Sequence, residues 1–544
     1  MMLSHGVFSI MYAMKTTNKQ LLKENKNLQE LLLEAQSLLE EKELLLTQKD
    51  AKISTLLEQL KLARHQTFSP TSEKQSPQQG ELFDEAEQIV TDEANEEEST
   101  VKENNSETGK VTTSQKKKRG RSPLPAHLVR VDVIYDLDES EKICPHDGQP
   151  LHKIGEEVSE QLEIIPAKVQ VIRHRRFKYA CRCCEQGVHT ANMPKQAFPK
   201  SNATAGTFAY IAVSKYQDAL PLYRLENIFK RSKIHIPRNT MANWMIKLGG
   251  DIFTPLINLF RDKLLEQPLI HYDETTYQVL NEVGKTAQSK SYMWVGLAGE
   301  QGNRVVLFDY APTRAGSVPT SLLDDFSGYL VTDDYGGYNA VCEKNGITRV
   351  ACWAHARRKF NDVLKIQKVK TGKAKIAMNY IGKLYQIEKQ CVGLSNKARL
   401  TIRQKESNVI VNEMRVWLDK SLLQSPKQSK LGNALHYLNN NWSRLVEFLT
   451  DGIIPLDNNA AENAIRPFVI GRKNWLHSSS VKGAHASASI YSIIETSKAN
   501  GLDPYGYLKF IIEQLPLTES VEQIEALLPW NIKNEALTAW DKFS

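Results

Sequence analysis

The sequence predicts a multidomain α/β protein. A mixed-sheet core, interrupted by a helical insertion, follows a coiled coil, a small cysteine-bearing β module and a helix-turn-helix. Three observations predict this. Residues 21–60 place apolar side chains at alternating spacings of four and three. Four of the seven cysteines fall within 144–184. From 268 onward come three strand-like stretches in succession, then strands followed by helices. A chain of 544 residues has room for roughly three or four domains.

The composition, 41% hydrophobic and 24% charged, is that of an ordinary soluble protein. No run approaches the roughly eighteen apolar residues of a membrane span. The opening "MMLSHGVFSIMYAMK" has neither a basic region nor a small-residue cleavage site, so no signal peptide is expected, and Met14 offers an alternative start. Clustered cysteines suit a metal site in a reducing compartment better than a disulfide framework, which predicts a cytoplasmic protein. The net charge is +7. Residues 81–108 are dense in Asp and Glu with a single lysine, so the rest of the chain is more basic than that total. A basic body with an acidic tract points to a polyanionic partner, most simply nucleic acid.

The first segment, 1–66, is read as an N-terminal helix and coiled coil. Its seam is Leu21, Asn25, Leu28, Leu32, Ala35, Leu39, Lys42, Leu46, Lys49, Ile53, Leu56 and Leu60. The heptad spacing predicts self-association, with polar Asn25 fixing the register and two lysines also in the seam; a long solvated helix packing on its own chain is the alternative. Residues 67–125 lack apolar periodicity and read as a linker, acidic and then basic. It ends in "KKKRGRSPLP", where Arg119 and Arg121 flank Gly120, a pattern able to enter an A·T-rich minor groove or simply to be a basic linker.

Residues 126–195 are read as a zinc-type β module. "CPHDG" and "CRCC" bracket the strand-like stretch 160–180. Cys181 and Cys184 have the C-x-x-C spacing of a tetrahedral thiolate site, Cys144 is a third candidate ligand, and His146 or Asp147 a fourth. Arg173, His174, Arg175, Arg176 and Lys178 make the module basic. Residues 196–262 are expected to be helical. Pro237 suits a helix start, and a helix from Arg238 would turn Arg238, Asn239 and Asn243 outward while Met241, Trp244 and Leu248 pack inward. That is helix-turn-helix geometry, though any helical hairpin shares it.

The core is assigned to 263–361 and 456–495, with a helical insertion at 362–455 and a helical region at 496–544. "PLIHYDETTYQVL" alternates as a strand with Asp273 on one face and Glu274 on the other. "YMWVGLAG", "RVVLFDY" and "GYLVTDDYGGY" read as further strands, and "TRVACWAHARRKF" as a fifth strand running into a helix. Such an order implies a mixed sheet covered by helices. Acids on the first and fourth strands meet if those strands are neighbours, and carboxylates that face each other repel unless a cation lies between them. Mg²⁺, with carboxylate, phosphate and water oxygens, fits that need. Two such ions would serve phosphoryl transfer.

The segment "LDNNAAENAIRP", 456–467, offers a third acid. By itself it reads as a helix start with Asn459 as the cap, Glu462 at the third helical position and Arg466 as its partner four residues on. Asp457, five residues before Glu462, points elsewhere and is read as a bystander.

Five motifs in order, "HYDETTYQVL", "VTDDYGGYNAV", "CWAHARRKF", "DNNAAENAIRPFVIGRKNWLHS" and "YSIIETSKANGLDPYGYLKFIIEQLP", resemble the transposase of the insertion sequence 66 family, a DDE-class enzyme of bacterial mobile elements. The likeness runs from about 120 to 531 and includes "FSPTSEK" after the coiled coil. The resemblance implies an RNase H-like core and catalytic acids at Asp273, Asp333 and Glu462. It further implies two Mg²⁺ ions, with Mn²⁺ able to substitute, acting on double-stranded transposon-end and target DNA. A nucleoid-associated location and small accessory proteins of the element are part of the same expectation. Asp334 stands where the family usually has Gly, and Asp147 where its zinc module has a second Cys, which leaves zinc binding open. Arg357, Arg358, Lys359, Arg466, Arg472 and Lys473 lie close to the motifs and are expected to hold phosphates; His355 is expected either to orient the site or to pack. The rival expectation is a domesticated or inactive copy that binds DNA without cutting it.

Overall fold

The computed structural model describes residues 169–180, 188–190, 192–344, 346–367 and 371–533, with scattered helical positions between 23 and 53. The chain divides into two units, 99–193 and the remainder. In the first, strand β1 (Lys178–Ala180) pairs antiparallel with β2 (Val188–Thr190). Of the strand expected over 160–180, residues 160–168 lie outside the described residues, 178–180 form β1, and 169–177 are exposed and carry no regular structure. Basic Arg173, His174, Arg175 and Arg176 keep that stretch in solvent, where a strand without a partner gains nothing. Cys144, His146, Asp147, Cys181, Cys184, Arg119 and Arg121 lie outside the described residues.

In the second unit, the scattered N-terminal positions are helical, and Leu32, Leu39, Leu46 and Ile53 of the expected seam are exposed. Helix α1 (Ala205–Ala212) runs into a π-helical turn at Val213–Gln217. Helices α2 (Leu222–Arg231) and α3 (Arg238–Lys247) form the expected hairpin, with Pro237 at the start of α3. Arg238, Asn239 and Asn243 are exposed, Met241 and Leu248 are buried, and half-buried Trp244 packs edge-on against Phe208. Helix α4 (Thr254–Leu265) then leads into the sheet.

Five strands follow: β3 (Leu269–Asn281), β4 (Lys290–Ala298), β5 (Val305–Ala311), β6 (Tyr329–Thr332) and β7 (Thr348–Ala351). Their spatial order is β5-β4-β3-β6-β7. The first three pair antiparallel, whereas β6 and β7 run parallel to β3. Helix α5 (Trp353–Gln367) leaves β7 directly. Helices α6 (Lys373–Gln390), α7 (Asn408–Leu423) and α8 (Lys430–Asn440) build the region between α5 and the third acid. They share a core with the β6–β7 side of the sheet, including Val350, Trp353, Leu384, Met414 and Leu435. Arg403, fully buried, locks this region by a two-point ion pair with Glu388 at 2.8 and 2.7 Å and by donating to the Phe448 and Asp451 carbonyls.

Helix α9 (Asn459–Trp475), strand β8 (Ser478–Ser480), helix α10 (Val481–Ala499) and helix α11 (Pro504–Gln514) complete the fold. β8 extends the sheet beside the far end of β3. Helix α10 also covers the edge strand β5, whose outward backbone groups would otherwise be buried without partners. Three polar side chains at helical spacing meet them. Ser492 Oγ accepts from Phe308 N–H (2.8 Å). Thr496 Oγ1 accepts from Val306 N–H (3.1 Å) and donates to the Val306 carbonyl (3.0 Å). Asn500 does the same for Arg304 at 3.1 and 2.7 Å. Thr496→Val keeps the shape but orphans both Val306 groups, each worth about 1–3 kcal/mol when left unpaired. We expect a stability loss of about 2–4 kcal/mol by denaturant unfolding; a midpoint equal to that of the wild type would show that α10 does not seal this edge.

Candidate active site

The pairing of β3 with β6 sets the site. Ile270 faces Leu330 and His271 faces Val331, so two residues further along each chain Asp273 comes beside Asp333, just past the end of β6. Gly328 permits this register. Its φ is +140°, and a Cβ there would lie 2.4 Å from the Pro268 carbonyl oxygen at the start of β3. Only glycine tolerates both the conformation and the close approach.

Glu462 reaches the same place from α9. The helix begins one residue earlier than expected: Asn458, not Asn459, is the N-cap, and Glu462 sits at the fourth helical position. The physical reason lies in the residues before it. Asp457 accepts from the Asn459 N–H (3.0 Å) and side-chain amide (3.0 Å), and it accepts a 2.7 Å hydrogen bond from Tyr385 on α6. Asp457 is therefore the side chain that caps the helix start. Asn458, 1% exposed, turns inward instead. Its amide donates to the Tyr272 carbonyl (2.9 Å), its Oδ1 pairs with His271 Nδ1 (2.9 Å), and its N–H donates to Cys352 Sγ (3.2 Å). One buried side chain thus fastens the start of α9 to the strand residues immediately before Asp273.

The electrostatics record the crowding. Burial, then the neighbouring Glu274, Asp333 and Glu462 charges, push the Asp273 carboxyl up to about 8, although the Glu274 N–H donates to it at 2.8 Å. Burial also lowers His271 to about 4, so its ring is neutral. Glu462 Oε2 pairs with Arg358 Nη2 on α5, and Glu462 Oε1 lies 3.8 Å from His355 Nδ1. Neither Glu462 Oε1 nor His355 Nδ1, both buried atoms, has a hydrogen-bond partner among the described residues. Burial lowers His355, with Glu462 opposing that shift. Repelling carboxylates and a buried orphan oxygen are what a bound cation would satisfy, so these residues fit a divalent metal.

Glu274 faces away from Asp273, as the strand alternation requires, but it is not remote. Its carboxylate, 1% exposed, takes a 2.6 Å hydrogen bond from Arg314 Nε and one from the Tyr338 hydroxyl, and Arg314 also lies 3.6 Å from Asp333. Arg314 stacks on Tyr335, whose N–H donates to Asp333 at 2.9 Å. Arg314, Tyr338 and Asn458 were not legible as site residues. Arg314 stands in the loop after β5 with no pattern around it, and asparagines at a helix start suggest caps.

The expected phosphate contacts divide. Arg357 is 6% exposed, which removes it from the surface and corrects that expectation: on α5 it lies on the face packed into the core, where Ala356 and Phe360 are also buried. Arg358 is bound to Glu462. Lys359 is exposed, 4.5 Å above the Tyr437 ring. Arg466 is half-buried on α9. Arg472 donates to Thr275 and Thr276 of β3 at 3.2 and 3.1 Å, and Lys473 is exposed beside it.

Four family models match the chain. One described as transposase IS66 family covers residues 200–486, the zinc-finger binding domain of transposase IS66 covers 141–185, and the IS66 C-terminal element covers 492–530. A fourth, described as transposase C of IS166 homeodomain, covers 55–133. Among curated proteins, the uncharacterized protein y4qI of Sinorhizobium fredii is 34% identical over 433 residues, covering 77% of this chain and 78% of its own length. The uncharacterized protein y4jD of the same organism is 32% identical, covering 75% and 81%.

Proposed function

The chain belongs to the IS66 transposase family, and from that premise we propose a DDE-type DNA transposase that cleaves phosphodiesters at the ends of its element and joins them to target DNA. The observation that carries the reading is the convergence of Asp273, Asp333 and Glu462, from β3, the end of β6 and the first turn of α9, on one crowded site. The strand order, with three antiparallel strands followed by two parallel to the first, supports an RNase H-like core.

Asp273, Asp333 and Glu462 would hold the Mg²⁺ ions, for which Mn²⁺ can stand in; bound there, they supply the positive charge that activates an attacking oxygen and stabilises a leaving one. The chain's own residues do the rest. Asn458 sets Glu462 against Asp273, and Arg314 holds Asp333 beside the closed Glu274 pair. Exposed Lys359 and Lys473, with Arg358 on α5 and Arg466 and Arg472 on α9, would hold the phosphates of a DNA backbone. Arg238, Asn239 and Asn243 on the open face of α3 would read duplex DNA. The exposed Leu32, Leu39, Leu46 and Ile53 support self-association through the N-terminal helix, which would pair two element ends. The zinc-finger match supports Zn²⁺ on Cys144, Cys181 and Cys184, with His146 or Asp147 as the fourth ligand. Accessory proteins of the element are further expected partners. No described helix is long and apolar enough to cross a membrane.

A binding protein that never cuts is the rival reading, and the intact acid set disfavours it. Duplexes carrying the element's terminal repeats, incubated with Mg²⁺ or with EDTA, separate the two. Cut ends and joined products in Mg²⁺ alone support the transposase; cut ends without joining indicate a nuclease; no cutting in either leaves only DNA binding.

Protonation of Asp273 gives a second test. Its folded value near 8 lies above the unfolded carboxylate value of about 3.9, so the folded state retains a proton between the two. The metal-free protein should lose stability as pH rises from about 4 through about 8. A bound cation displaces that proton, so Mg²⁺ should raise the melting temperature more above pH 8 than near pH 6. Equal shifts at both would remove Asp273 from the ligand set.

A further inference from the structure

We propose that His355 is a further metal ligand: its Nδ1 and Glu462 Oε1 share one divalent cation, and the nitrogen donor biases that position towards Mn²⁺ over Mg²⁺. The inference rests on the reading of the three acids as a cation site and adds a donor of a different kind.

The geometry carries it. Two buried polar atoms, His355 Nδ1 and Glu462 Oε1, face each other across 3.8 Å, and neither has a hydrogen-bond partner among the described residues. That spacing is too long for a hydrogen bond between them. It suits two ligands on one ion, since donors at about 2.1 Å from a common metal stand at most about 4.2 Å apart. Cys352, His355 and Glu462 form a cluster whose potential ligand atoms all lie within 4.8 Å of one another. Cys352 is fully buried and its Sγ accepts the Asn458 N–H, so it closes the back of the site, leaving His355 and Glu462 as the donors. Both sit on rigid elements. His355 is in the first turn of α5, directly after β7, and Glu462 is in the first turn of α9.

The arrangement has two chemical consequences. Ligation through Nδ1 places the ring proton on Nε2, so the long 3.4 Å contact between Nε2 and Arg358 Nη1 is given up and the guanidinium turns away. Imidazole nitrogen is also a poor donor for Mg²⁺, which prefers oxygen, and a better one for transition metals.

The test reads the metal directly. Full-length protein is loaded with Mn²⁺, and pulsed electron paramagnetic resonance is used to look for nitrogen modulation from a coordinated imidazole. The wild type should show it, His355→Ala should lose it, and Mn²⁺ affinity should fall by about tenfold or more. His355→Gln, which keeps the bulk and offers oxygen, should retain binding, lose the nitrogen signal and narrow the preference for Mn²⁺. Glu462→Gln separates the two readings. If Mn²⁺ binds, Glu462→Gln weakens it and no nitrogen signal is present, the acid site stands and His355 is not a ligand. A nitrogen signal that persists in His355→Ala overturns the proposal, and failure of the wild type to bind Mn²⁺ overturns both.

Discussion

Glu462→Gln is expected to lower Mg²⁺-dependent cleavage of terminal-repeat duplexes by at least about 10³-fold, because a metal site stabilises several kcal/mol of transition-state charge and each 1.36 kcal/mol is tenfold. Asp273→Asn and Asp333→Asn should do the same. A second readout distinguishes lost chemistry from lost folding. Asp273 is destabilised by burial and by three neighbouring carboxylates, so removing its charge relieves the metal-free protein. Asp273→Asn should therefore melt no lower than the wild type, and higher above pH 8, while activity disappears. That pairing marks a group kept for function at the expense of stability. Any of the three variants that still cuts in Mg²⁺ at the wild-type rate would remove that residue from the catalytic set.

Asn458→Ala tests how Glu462 is placed. Asn458 makes three hydrogen bonds from a fully enclosed position: to the Tyr272 carbonyl, to His271 and to Cys352. Only the backbone one survives truncation. The Tyr272 carbonyl and the His271 ring lose their partners, at about 1–3 kcal/mol each, so a stability loss of about 2–4 kcal/mol is expected. The start of α9 is then free to drift from β3, and a displacement of about 1 Å at a reacting geometry costs about 10²-fold in rate. Denaturant unfolding and the cleavage assay together check this. A positioning role predicts that cleavage falls while Mn²⁺ still binds, more weakly. If only stability falls and the cleavage rate per folded molecule is unchanged, Asn458 is a packing residue.

Much of the core could be read from the chain. β3 and β4 reveal themselves by alternation and by aromatic and β-branched residues, and α3 by Pro237 and its apolar side. These signals are local: a strand or helix repeats its pattern over its own length. The β1 region misled for the same reason. The run around Val169, Val171 and Phe177 has strand-like residues, but a strand also needs a neighbour, and that is not a local property.

The sequence by itself determined the family and most elements of the core, and its motifs single out three acids as the proposed site. Only the tertiary structure decided how those acids are held. The contact of Asn458 with Tyr272 spans 186 residues and that of Arg358 with Glu462 spans 104, and no local pattern encodes a partner so distant. The stretch "DNNAAE" read as a capped helix because caps are local. Folding instead gave the cap to Asp457, turned Asn458 inward onto β3, and left one oxygen of Glu462 facing His355. The reason is energetic: a buried amide must find every partner it can, and here those partners come from the strand that bears the first acid.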